Sequence, residues 1–122
     1  MTSAELQKRL KDFAYRIIPL CDSLPPKKIS RIVEDQLTRS AFSAAANYRA
    51  ACKAQSTKSF TAKLSIAFEE IDESLFWLEV IAEVKLMNED KLSLILKEAD
   101  ELTRILASSR KTSQKKQATI KS

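Results

Sequence analysis

The sequence contains no glycine and no histidine. Tight hairpin turns and bulges call for residues at positive φ, which glycine supplies at no steric cost, so its absence argues against a sheet fold. Without histidine the chain lacks the side chain that titrates nearest neutral pH and the commonest metal ligand. It also lacks the Glu-x-x-His pairs on which carboxylate-bridged di-metal bundles rely. Cysteine occurs twice, as Cys21 and Cys52, with no CxxC pair and no clustered partners, which argues against a zinc site. The two read as small, mostly buried thiols of a protein in the reducing cytosol. No apolar run approaches the ~18–20 residues needed to cross a bilayer. The amphipathic, charged start MTSAELQKRLKDF lacks a signal peptide's apolar segment. Together these absences predict a cytoplasmic protein with no metal, no cofactor, no small-molecule substrate and no place in a membrane.

Proline is confined to Pro19, Pro25 and Pro26, so nothing breaks a helix from Lys27 onward. With 122 residues, 44% hydrophobic and 30% charged, the chain has the balance of one folded domain around one core. Helical spacing then marks four segments. Leu6, Leu10, Phe13, Ile17 and Leu20 share one face of a helix over 3–22, opened by Thr2 and Glu5 at capping-box spacing. Pro19 should kink or end its last turn. A second helix over 27–55 starts with the stripe Ile29, Ile32, Val33 and Leu37, then turns rich in alanine, which lets helices approach closely. A third over 59–86 carries Phe60, Leu64, Ile71, Leu75, Leu78 and Ile81, its apolar face widened by Phe76 and Trp77. Adjacent helix positions point in different directions, so one of that pair should face the bundle and the other a neighbouring subunit. A fourth helix over 89–108 follows Asn88 and holds Leu92, Ile95, Leu96, Leu102 and Leu106. Short connections require an antiparallel up-down-up-down four-helix bundle over 1–108. The segment 109–122 shows no periodicity and reads as a disordered basic tail.

Charge is unevenly placed. The net +5 equals the five cations of the tail, Arg110, Lys111, Lys115, Lys116 and Lys121, because residues 1–107 carry 16 basic and 16 acidic side chains. Residues 1–65 have 12 basic against 5 acidic, and residues 66–107 have 4 against 11. The two halves are complementary, whether packed within one subunit or between neighbours.

The second helix also carries a polar stripe, Gln36, Arg39, Ser40, Ser43 and Asn47. In a hairpin centred near Thr57, Arg39 lies roughly at the height of Ser74 or Leu75 and can reach Glu73, while Asn47 can reach residues 63–67. This predicts a partly buried Arg–Glu network whose broken form strands a charge, at a cost of roughly 3–5 kcal/mol. The run Gln36-Leu37-x-Arg39-Ser40-Ala41-x-Ser43-x-x-Ala46-Asn47-Tyr48-Arg49-Ala50-Ala51 resembles a bacterial four-helix bundle family, first noted as reading frames inside intervening sequences of large-subunit ribosomal RNA genes. The resemblance continues through Phe60-x-x-Lys63-Leu64-x-Ile66-Ala67-x-x-Glu70-x-x-Glu73-Ser74-x-x-Trp77-Leu78 and spans about 12–106. Glu70 and Glu73 match the family's paired acids. Where the family often has an acid near Arg49, this chain is basic, and its surface there is more positive. The resemblance implies a ring-like homopentamer and a connection to RNA or DNA. A related branch serves reverse transcriptases of diversity-generating retroelements as an accessory protein, which makes a reverse transcriptase a candidate partner.

No residue pattern supports catalysis: no histidine is present to activate a serine. Gln36, Arg39, Ser40, Ser43, Asn47, Glu70, Glu73 and Trp77 therefore read as a polar network or subunit contact. Glu69, Glu70, Asp72, Glu73 and Glu79 read as an acidic face that meets basic residues of a neighbour rather than as metal ligands. The basic tail, with Arg110, Lys111, Lys115 and Lys116, is the strongest nucleic-acid feature. Lys8, Arg9, Lys11, Lys27, Lys28, Arg49, Lys53 and Lys58 extend it. No aromatic–basic interleaving suggests base stacking, so sequence-tolerant phosphate contact is expected. The competing expectation is a protein-interaction scaffold without nucleic-acid contact.

Overall fold

Thr2 opens the first helix by accepting a hydrogen bond from the Glu5 amide at 3.1 Å, and α1 then runs over Ser3–Asp22. The computed structural model describes residues 1–121; the side chain of Lys121 and all of Ser122, the last residue of the expected tail, lie outside the described residues. Helix α1 continues through Pro19 to Asp22, so the proline does not end it. After residues 23–27, α2 spans Lys28–Cys52. Ser56 caps α3, accepting from the Ser59 amide at 3.0 Å, and α3 spans Thr57–Glu83. Asn88 accepts from the Asp90 amide at 2.8 Å at the start of α4, Glu89–Lys121. The described residues hold four helices and no strand.

Each helix packs on its sequence neighbour in antiparallel sense, closely for α2 on α3 and α3 on α4, and α1 barely touches α4. The core is built from Leu10, Phe13 and Ile17 of α1, Val33 and Leu37 of α2, Leu64, Ile71 and Leu78 of α3, and Leu92, Leu102 and Leu106 of α4, all fully buried. Burying each such side chain stabilises the fold by about 1.5–3 kcal/mol.

Two sequence expectations are corrected. Ile29 and Ile32 are 36% and 43% exposed, so they are not the inner stripe of α2. That stripe is Ser30, Val33, Leu37, Ser40, Ala41, Ala44, Tyr48 and Ala51, in which small and hydroxyl side chains admit α3 at short range. Ser40 and Ser74 share a hydrogen bond there at 2.8 Å: one hydroxyl donates to the other, and the second donates back to its own helix, at the carbonyl of Leu37 or Glu70.

The second correction concerns the tail. Helix α4 passes Ser108 without a break and stays helical to Lys121. Past Leu106 its inner face is polar: Ser113 is buried and hydrogen-bonded to Thr61 of α3, and the Arg110 guanidinium lies 5.2 Å from the centre of the Phe68 ring. Apolar periodicity stops where the helix does not, and that is why the segment reads as disordered in sequence.

Candidate nucleic-acid interface

The polar network of α2 lies on the α2–α3 seam. Arg39 donates through Nη1 to Glu70 Oε2 at 2.7 Å and through Nη2 to Glu73 Oε2 at 2.6 Å. Gln36 Oε1 accepts from Arg39 Nε at 3.4 Å, and Trp77 Nε1 donates to Glu73 at 3.1 Å. The bonds to Glu73 and Glu70 hold the guanidinium's pKa above its ordinary value. The arginine side chain is 47% exposed, against 18% for Glu70 and 33% for Glu73. Such a partly solvated cluster contributes about 1 kcal/mol or less per bridge, well below what a buried pair would strand. Asn47 does not cross to α3; its amide donates to the Ser43 carbonyl at 2.9 Å and to Ser43 Oγ at 3.1 Å. Ser40 is buried with Ser74 and belongs to the helix interface rather than to the surface stripe.

The predicted basic residues divide into four groups. Arg9 is engaged by α4: its guanidinium holds Glu98 with two bonds, at 2.6 and 3.2 Å, and Glu101 at 3.3 Å. Hydrogen bonding to Glu98 raises its pKa, and its charge is neutralised within the fold. Lys27 and Lys28 lie at the start of α2. Antiparallel packing puts that start at the opposite end of the bundle from the remaining cations. Arg49 and Lys53 at the end of α2, Lys58 at the start of α3, Lys8 and Lys11 near the start of α1, and Lys111, Lys115 and Lys116 near the end of α4 all come to one end. All of these are exposed. Among the described residues Lys8 alone of these has an ion-pair partner, the exposed Asp12 at 2.7 Å. Arg110 is drawn aside onto Phe68.

Two hollows occupy this end. One, of about 680 Å³ between α1 and α2, is lined by Lys8, Lys11, Arg49 and Lys53 around Tyr15, Phe42 and the small residues Ala45 and Ala46. The other, of about 620 Å³, is hydroxyl-rich, with Ser56, Thr57, Ser108, Ser109, Thr112 and Ser113 beside Lys116. They adjoin through the chain itself, since Lys53 lines the first and Ala54 the second. The first hollow corrects the sequence reading that aromatic and basic residues do not interleave. They do so across two helices: Tyr15 and Phe42 stand 27 positions apart in sequence and 6.0 Å apart in space, ring centre to ring centre. Among the described residues no group of three or more cysteine, aspartate or glutamate side chains is placed to hold a metal ion. No helix among them is long and apolar enough to cross a membrane.

A family model described as 23S rRNA-intervening sequence protein matches residues 3–108. The chain belongs to this family. The family match covers the network and the α1–α2 hollow, and stops where α4 turns from apolar to basic. A crystal structure of a protein of unknown function, from the S23 ribosomal protein family of Bacteroides thetaiotaomicron, shares the fold with a TM-score of 0.81. The two chains are 30% identical, and the match covers 91% of this chain and 99% of that one. No curated protein matches the sequence.

Proposed function

We propose that this family member is a non-enzymatic, homo-oligomeric bundle, a ring-like homopentamer, that associates with nucleic acid and acts as an accessory to a nucleic-acid-processing partner such as a reverse transcriptase. The reading rests on one observation: the exposed cations of α1, α2, α3 and α4 gather at one end of the bundle, around hollows lined by no acid. The family's ribosomal RNA context and the resemblance to retroelement accessory proteins agree with it. Phosphate contact by lysines at such an end is independent of sequence and releases counterions, so the affinity falls with a log–log salt slope of about −0.7 to −0.9 per neutralised phosphate.

The test is fluorescence anisotropy of labelled RNA and DNA at low and moderate salt. Binding at low salt that weakens steeply with added salt is the expected result, and Lys53→Ala, Lys58→Ala, Lys115→Ala and Lys116→Ala together should abolish most of it. Absence of binding at low salt, or an unchanged affinity in the fourfold variant, overturns the reading. The scaffold alternative draws on the exposed Phe76, Val84 and Leu94. A protein partner that survives nuclease treatment, with no nucleic-acid binding by the purified protein, would favour it.

A further inference from the structure

We infer that the hollow between α1 and α2 receives the unpaired bases of a single-stranded nucleic acid, with the Tyr15 ring as its stacking platform. This deepens the phosphate-binding reading above and rests on it.

Tyr15 is 50% exposed although it belongs to a helix with a well-buried apolar face. Phe42 meets it edge-on, at 62° between ring planes, and packs on the core behind. That contact supports Tyr15 from one side and leaves ring surface open to the hollow. Ala45 and Ala46 also line it, where larger side chains would take up space a base needs. The volume, about 680 Å³, lies within the roughly 300–1,000 Å³ range of small-molecule sites.

The rim carries the matching charge. Lys11 Nζ lies 5.9 Å from the Tyr15 ring centre, and Lys8, Arg49 and Lys53 complete a cationic border. The one acid paired with this border is Asp12, on Lys8. An aromatic face beside a basic track is the arrangement by which proteins hold single strands: lysines follow the phosphates and the ring stacks a base. In a duplex the bases are already stacked on one another and cannot reach Tyr15, so the hollow selects unpaired strands. An acidic peptide would satisfy the rim but not the ring, and it is separated from a strand by the test below.

The experiment compares four labelled probes on the full chain at low salt: a 12-residue oligouridine, the matching oligothymidine, an abasic strand of equal length, and a duplex. The RNA and DNA strands should bind more tightly than the abasic strand and the duplex. Tyr15→Ala should weaken the two base-bearing strands by about 5- to 100-fold and leave the abasic strand unchanged. Tyr15→Phe, which keeps the ring, should bind like the parent, and circular dichroism checks that each variant remains helical. Equal binding of intact and abasic strands, or Tyr15→Ala without effect, overturns the stacking site while leaving phosphate binding intact. Failure of all four probes to bind overturns both. An acidic peptide that displaces the abasic strand and the base-bearing strands equally also overturns it, because the hollow would then read charge alone.

Discussion

Cys21 and Tyr48 are buried in places that disfavour their ionised forms. Burial raises the Cys21 thiol above its ordinary value of 9.0, and a weak sulfur contact with Thr38 at 3.8 Å offsets this in part. Burial, and then hydrogen bonding with Cys52, raises the Tyr48 hydroxyl above its ordinary value of 10.0. Below about pH 8 both groups are neutral folded and unfolded, and neither makes stability depend on pH. As pH climbs past these ordinary values the unfolded chain loses its protons first, so stability falls. Each group contributes a slope of up to about 1.4 kcal/mol per pH unit. The thermal midpoint should therefore drop between pH 8 and pH 10.5, and Cys21→Ala with Tyr48→Phe should flatten that drop. Identical slopes for parent and double variant would show that these groups do not set it. At this scale the sequence is informative about partners and poor about depth. Counting residues from the α2–α3 turn puts Arg39 roughly level with Ser74 or Leu75 and within reach of Glu73, because an antiparallel hairpin fixes height. It cannot say that the guanidinium stays half in water, since depth depends on which side of the seam faces the core.

At the scale of the element, the end of α3 shows how a chain without glycine makes a left-handed turn. Lys85 takes φ = 57°. Its amide donates to the Ala82 carbonyl at 3.2 Å and the Leu86 amide to Ile81 at 3.0 Å, the paired bonds of a Schellman motif. Leu86 and Ile81 are both buried beneath it, which supplies the motif's apolar contact. The left-handed conformation costs a residue with a Cβ about 1–2 kcal/mol, part of which glycine returns through its greater freedom in the unfolded chain. Lys85→Gly should stabilise the protein by about 0.5–1 kcal/mol, seen as a rise in the unfolding midpoint of roughly 2–4 °C. An unchanged or lowered midpoint would mean that the lysine side chain contributes what the backbone forfeits. Helix starts such as Thr2 and Asn88 are legible because a cap is a local event. The extension of α4 is not, because it is held by Thr61–Ser113 and Arg110–Phe68, contacts between residues 42 or more positions apart that leave no apolar period to read.

At the scale of the whole molecule, charge decides more than packing. Residues 1–65 carry the excess of base and residues 66–107 the excess of acid. Arg9 with Glu98 and Arg39 with Glu70 and Glu73 spend only part of that complementarity inside one subunit. In the proposed assembly the unspent part, together with the outward Phe76 ring edge-on to Trp77 at 5.0 Å, would give neighbouring subunits both an apolar anchor and a matching field. A ring of five would then present five cationic ends to one strand, and binding by several ends at once raises avidity by about 10²–10⁴ without any new contact. Phe76→Asp separates the two effects: the side chain is 53% exposed, so the subunit fold should survive while the anchor is lost. Light scattering should give a pentamer's mass for the parent and a smaller mass for the variant. The variant should still bind a short strand that one end can hold, and should lose affinity for a long one that spans several. A parent monomeric at every concentration, or a variant with the parent's mass, would leave the cationic end as the property of a single subunit and remove assembly from the account of its affinity.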